Sequence, residues 1–237
     1  MIPPRGDEMA RFDFTKQAVL WDLDDTLYSR RDAAQRMFPE LFRECLYENR
    51  SEEFLQEAAR FMMTQVKGNN THPDAFATLL ERYPADKEYN HARCVEYYYA
   101  HIRDYAAPVP ETVEILKNLR ARGVKLAIVT NITPELLEHQ HKKVAQLGIE
   151  DLFDAVVYSA EFGVHKPDRR IFDHAAALLG VANEDCLFVG DDPDADVTGA
   201  LNAGMEAVWL DVRNTADRFR DDPRVHRVQK LSEYFDR

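Results

Sequence analysis

Val19-Leu20-Trp21-Asp22-Leu23-Asp24-Asp25-Thr26-Leu27 joins an apolar run to two aspartates two residues apart and then to a short polar turn. Read as a strand, the run carries Asp22 and Asp24 on one side, because side chains alternate with a period of two. A carboxylate at the end of a buried strand is costly unless a cation or hydrogen-bond donors compensate it. Two together call for a divalent metal, and oxygen donors suit Mg²⁺. The competing reading is a strand that simply ends in a polar turn, where Asp is common. The rest of the chain decides between them.

Beyond Leu27 the strand signals stop until about residue 108. Residues 30–48, 51–67, 73–82 and 86–105 carry apolar residues near helical spacing. Tyr97-Tyr98-Tyr99 sits in the last of these and reads as packing, since such aromatic clusters dominate cores. Prolines in Ala106-Ala107-Pro108-Val109-Pro110 mark a linker. The pattern then changes. Helices over 111–122, 134–147, 168–179 and 197–202 are closed by Gly123, Gly148, Gly180 and Gly204, the favoured residue just past a helix end. Between them lie β runs at 124–130, 155–159, 186–190 and 207–210. This alternation predicts an α/β fold with a parallel sheet and helices on both faces. The core is drawn from residues 12–27 and 108–237, with an all-helical domain over 28–107 inserted after the first strand. Residues 1–11 read as a disordered N-terminal extension, with Met9 an alternative start.

The net charge of −12 over 237 residues opposes nonspecific nucleic-acid binding. It does not oppose small anionic substrates, because a bound Mg²⁺ and a lysine reverse the field inside one pocket. No apolar run approaches the roughly 18–20 residues of a membrane span. Residues 1–9 have no apolar signal core, which argues against export. Cys45, Cys94 and Cys186 are widely spaced and form no C-x-x-C pair, as expected of free thiols in a reducing compartment. The eight histidines show no zinc-ligand spacing. A cytoplasmic protein without nucleic-acid or membrane partners is expected, and the sequence leaves the oligomeric state open.

The polar clusters each follow an apolar β run: Asp22/Asp24, Thr130/Asn131 and Asp191/Asp192, with Lys166 in the loop after 155–159. In a parallel sheet those strand ends share one edge, so the clusters converge there. Carboxylates, a hydroxyl, an amide and one ammonium are what phosphoryl transfer requires: metal ligands, donors for phosphoryl oxygens and an in-line nucleophile. Each cluster read singly is a turn or a solvated charge, and those readings must all hold at four strand ends at once.

At these residues the chain resembles the haloacid dehalogenase-like (HAD) hydrolase superfamily. Asp22-Leu-Asp24-Asp-Thr-Leu is similar to its Asp-x-Asp-x-Thr-Leu motif, and Val129-Thr130-Asn131 to its second. Lys166-Pro-Asp is similar to the third, and Gly190-Asp191-Asp-Pro-Asp-Ala-Asp196 to the fourth. The first and fourth are specific in this order and spacing. The resemblance implies a Rossmann-like core with a helical C1-type cap, as in the family's phosphatases. It implies Asp22 as nucleophile and Asp24 as general acid and base. Mg²⁺ is expected on the Asp22 carboxylate, the Asp24 backbone carbonyl and Asp191. Phosphoryl oxygens are expected on Thr130, Asn131 and Lys166. Asp196 is expected behind them, orienting Lys166 or a metal-bound water. Asp192 stands where relatives often carry Ser or Asn and adds negative charge beside the metal.

Asp24 separates this chain from the dehalogenases, which attack carbon and lack a carboxylate there. A phosphonate-hydrolase branch needs a cap lysine; Lys67 and Lys87 are the candidates, and Lys67 lies beside a helix end. The resulting expectation is a Mg²⁺-dependent phosphomonoesterase acting on a sugar phosphate or nucleoside monophosphate through an aspartyl-phosphate. The alternatives are a phosphosugar mutase on the same core and a phospho-accepting signalling module without turnover.

Overall fold

The computed structural model describes residues 14–66, 72–212 and 218–236; the expected extension over 1–11 and Lys67 lie outside them. In chain order the elements are β1 (Ala18–Trp21), α1 (Arg30–Cys45), α2 (Glu52–Gln65), α3 (Pro73–Arg82), α4 (His91–His101), α5 (Pro110–Ala121), β2 (Lys125–Thr130) and α6 (Leu137–Leu147). They continue with β3 (Ala155–Tyr158), α7 (Ser159–Phe162), α8 (Arg169–Leu179), β4 (Cys186–Gly190), α9 (Gly199–Ala203), β5 (Glu206–Leu210), β6 (Val225–Val228) and α10 (Ser232–Phe235). These elements form two compact units.

The α/β unit runs to Leu27, resumes over Val109–Pro134 and again from Asp151. Its six strands are all parallel, in the order β3-β2-β1-β4-β5-β6. The chain builds outward from β1 to β3, then crosses to β4 on the other side of β1, which makes the β1/β4 seam the switch point. β1 is fully buried on both faces, as a central parallel strand must be. Ala18 and Leu20 face a core with Ile171, Phe172 and Ala175 of α8 and Ala200 of α9. Val19 and Trp21 face the other way, and Trp21 stacks on Phe235 of α10 at 5.6 Å.

The helical unit takes Tyr28–Pro108 and Glu135–Glu150. Its core joins Met37, Phe38 and Phe42 of α1, Leu55 and Met62 of α2, Phe76 of α3, and Cys94 and Tyr98 of α4. Tyr98 is buried and packs edge-on against Tyr99, with ring centroids 5.3 Å apart. Ser29, Ser51 and Asn90 cap α1, α2 and α4 with their side chains.

Several expected boundaries move. The helix expected over 86–105 starts only at His91. Residue 86 is held elsewhere: Arg50 Nη2 donates to Asp86 Oδ1 at 2.5 Å, and the Asp86 amide donates to the Leu46 carbonyl at 3.0 Å. The helix expected over 134–147 is a 3₁₀ turn followed by α6. Sequence reading places α6 in the α/β core, yet it groups with the helices. Lys143 on α6 donates to the Tyr28 hydroxyl at 2.9 Å and lies 5.0 Å from its ring centroid. Instead of a helix over 197–202, residues 193–198 form a π-helical turn that leads into α9. β6 has no counterpart in the sequence reading.

Two glycines permit close approaches on which the site depends. A Cβ at Gly199 would lie 2.5 Å from the Phe172 ring and 3.0 Å from the Pro167 Cα, so α9 reaches the segment after Lys166 only because residue 199 is glycine. A Cβ at Gly190 would lie 2.2 Å from Asp196 Oδ2. Gly190→Ala should therefore overpack the end of β4 and cost about 1–3 kcal/mol. Thermal unfolding is expected to shift down by several degrees. An unchanged melting temperature would contradict this close fit.

Candidate active site

The β1–β2–β4 register brings the ends of these strands to one edge. Trp21 pairs with Ile128 on one side and Val189 on the other, and the Asp22 amide extends the ladder by donating to the Val189 carbonyl at 2.8 Å. Period-2 alternation then puts Asp22 on the face of Ala18 and Leu20, toward α8 and the loop carrying Lys166. Asp25, one residue past Asp24, has φ +63°, a left-handed conformation that Asp tolerates better than most residues.

Lys166 lies at the centre. Its Nζ is 2.6 Å from Asp22 Oδ1 and 2.7 Å from Asp196 Oδ1. Lys166 is 4% exposed and Asp196 1%. The Lys166 ammonium also lies 5.2 Å from the Phe188 ring centroid. Asp196 is held from its other side by the Asp192 amide, 3.1 Å from Oδ2. Asp192 itself accepts from the amides of Asp194 and Ala195 at 2.8 and 2.9 Å and so caps the π-helical turn.

These contacts set the protonation tendencies. Burial raises the Asp22 carboxyl to about 7; the Lys166 charge opposes this, while the Asp196 and Asp24 charges add to it. Burial likewise raises Asp196 against the opposing charge of Lys166. Burial alone would lower Lys166, but its two carboxylate partners outweigh burial and hold the ammonium above its ordinary range.

Asp191 completes the cluster. Asp22, Asp191 and Asp196 each offer a carboxylate oxygen, all within 4.8 Å of one another. Three carboxylates against one ammonium leave excess negative charge in a largely buried site, and a cation is what balances it. An all-oxygen donor set fits a hard divalent ion. The Asp191 backbone is fixed by Trp209, whose Nε1 donates to its carbonyl at 3.1 Å.

Asn131 points its amide at the backbone of Lys166. Its Oδ1 accepts from the Lys166 amide at 2.8 Å, and its Nδ2 donates to the Lys166 carbonyl at 3.0 Å. Thr130 ends β2 and is 1% exposed. Asp24 is half-buried, and its charge reaches Asp22. The structure thus gathers Asp22, Asp191, Asp196 and Lys166 directly, ties Asn131 to Lys166, and leaves Asp192 a turn cap. Sequence reading missed Ser159, His165 and Trp209. Ser159 carried a faint signal, being the polar residue at the end of a β run; Trp209 looked like core.

The chain is similar to known proteins over most of its length. The sequence pattern of the haloacid dehalogenase-like hydrolases matches residues 16–204. The glyceraldehyde 3-phosphate phosphatase of Methanopyrus kandleri is 38% identical over 203 residues, spanning 82% of this chain and 83% of that protein. The phosphoserine phosphatase of Thermus thermophilus is 43% identical over 102 residues, 43% of this chain and 40% of that protein. Among solved structures, the putative HAD-hydrolase YfnB from Bacillus subtilis, bound to magnesium, has the same fold at 20% identity, with a TM-score of 0.68 over 92% of this chain and 96% of that one. With three motifs at the strand ends of a parallel sheet, a fourth on the loop between α7 and α8, and a family match across most of its length, the chain belongs to the haloacid dehalogenase-like hydrolases.

Proposed function

We propose that this chain, a phosphatase of the haloacid dehalogenase-like family, is a Mg²⁺-dependent phosphomonoesterase for a small phosphorylated metabolite. The observation that carries the reading is the buried Lys166 ammonium between Asp22 and Asp196, with Asp191 beside them. A sugar phosphate is the first substrate class to test, given the glyceraldehyde 3-phosphate phosphatase at 38% identity; a nucleoside monophosphate is the second. The helical unit is proposed as the cap that selects the leaving group, and a cytoplasmic location goes with this reading.

Asp22 and Asp191, with the Asp24 carbonyl, would hold Mg²⁺, which when bound supplies positive charge against the phosphoryl oxygens. Asp22 attacks phosphorus through a carboxylate oxygen while the bond to the leaving oxygen breaks. Asp24 gives its proton to that leaving oxygen. It then takes a proton from the water that attacks the aspartyl-phosphate, and Asp22 is released as a carboxylate with inorganic phosphate. Lys166 and the Thr130 hydroxyl stabilise the negative oxygens, and the amide hydrogen that Asn131 does not spend on Lys166 is available to them. Asp196 keeps Lys166 aimed. Asp24 is what a mutase or hydrolase needs and a non-turnover phospho-acceptor does not.

Asp22→Asn removes the nucleophile and should abolish turnover of p-nitrophenyl phosphate and of triose phosphates, a loss of at least about 10³-fold. Retained turnover would remove Asp22 from this role. Chelation by EDTA should silence the enzyme and added Mg²⁺ restore it; activity indifferent to chelator contradicts the metal. The pH dependence has a definite sign. A buried carboxyl whose pKa is raised stabilises the fold while protonated, and that contribution is lost as pH rises through about 7. Metal binding needs the ionised form. Thermal stabilisation by Mg²⁺ should therefore be larger at pH 8 than at pH 5.5, and a larger shift at pH 5.5 would contradict the assignment of Asp22.

A further inference from the structure

Ser159 is fully buried at the start of α7, one residue past β3 and one register step beyond the Thr130–Tyr158 pair. Three polar atoms meet its hydroxyl. The Ile132 amide donates to Oγ at 2.8 Å, Oγ donates to the Ile132 carbonyl at 3.0 Å, and His165 Nδ1 lies 3.0 Å away. A serine hydroxyl has one hydrogen and two acceptor lone pairs. With the hydrogen given to the Ile132 carbonyl and one lone pair taken by the Ile132 amide, the arrangement that pairs all three groups has His165 donating through Nδ1–H. Every bonding position of Oγ is then used.

This contact repeats, one residue along, the clasp of Asn131 on Lys166. Asn131 binds both backbone polar groups of Lys166; Ser159 binds both of Ile132 and is joined by His165. Residues 131–132 and 165–166 are therefore cross-tied twice, and the second tie is buried at its centre. The one lysine of the site hangs from this double clasp. Its ammonium meets Asp22 and Asp196 at 2.6 and 2.7 Å, distances that leave little room for backbone drift.

We propose that Ser159 and His165 are positioning residues: through Nδ1–H···Oγ they fix the segment that aims Lys166, and so tune transition-state stabilisation without touching substrate. The inference rests on the phosphatase reading above. His165 is exposed, so replacing it does not open a core. His165→Ala should lower kcat roughly tenfold with KM nearly unchanged, since small misplacements of a charge-stabilising group are costly in the transition state. His165→Asn places an amide donor near the Nδ1 position and should stay within about twofold of wild type. Because His165 acts through Ser159, adding His165→Ala to Ser159→Ala should cause no further loss. Nitrogen NMR of the wild-type protein should find the neutral His165 ring protonated on Nδ1. The proposal is overturned by wild-type kcat in His165→Ala, by equal losses in His165→Ala and His165→Asn, by additive losses in the double variant, or by a ring protonated on Nε2. An Nδ1–H ring in a wild-type protein that hydrolyses no phosphomonoester would instead count against the phosphatase reading and leave the clasp standing.

Discussion

A buried ammonium between two buried carboxylates is the constraint around which the α/β unit is arranged. Lys166, Asp22 and Asp196 come from three distant stretches of chain, yet their charged atoms lie within hydrogen-bonding distance. Such a group is stable only if the geometry is maintained, because removing one partner strands an uncompensated buried charge. The parallel sheet provides that geometry. β1 delivers Asp22 and β4 leads into Asp191 and the turn with Asp196, while the loop between α7 and α8 carries Lys166. Gly190 and Gly199 let the turn and α9 approach closely enough.

The same arrangement explains why stability and chemistry are in tension here. Asp22, Asp191 and Asp196 bring more negative charge to one place than Lys166 balances. Burial pushes Asp22 and Asp196 toward their protonated forms. A site built this way is incomplete as a purely structural feature: its surplus negative charge suits it to a cation, and a cation together with Lys166 is what suits it to phosphoryl oxygens. Around it lies a layer whose members hold backbone in place: Asn131 on Lys166, Trp209 on Asp191, Asp192 on its own turn, and Ser159 on Ile132.

Much of this was legible in the sequence because the signals were local. Apolar runs ending in Asp22, Thr130 and Asp191 marked the strand ends, and the parallel sheet followed from β-α alternation; the strand order did not. Gly148, Gly180 and Gly204 closed helices and are found left-handed, at φ +64°, +64° and +87°. What was missed depended on contacts between distant residues. β6 is a short edge strand whose His226 and Arg227 look solvent-facing, until Glu206 and Asp211 are seen beside them. Residues 86–90 have helical composition, but Arg50 and the Leu46 carbonyl hold Asp86 outside the helix. α6 has an amphipathic pattern that fits either unit, and contacts such as Lys143 against Tyr28 reveal its side. Ser159 and His165 form no recognisable motif, because their meaning lies in a loop–loop clasp.

The most direct measurement is of where the phosphoryl group goes. The enzyme can be mixed with substrate and Mg²⁺, quenched in acid during turnover, digested and analysed by mass spectrometry. One added phosphoryl group on the peptide containing Asp22, stable in acid and lost in base, is the result this account predicts. A phosphoryl group on another peptide, or none on any peptide while phosphate is being released, would contradict it.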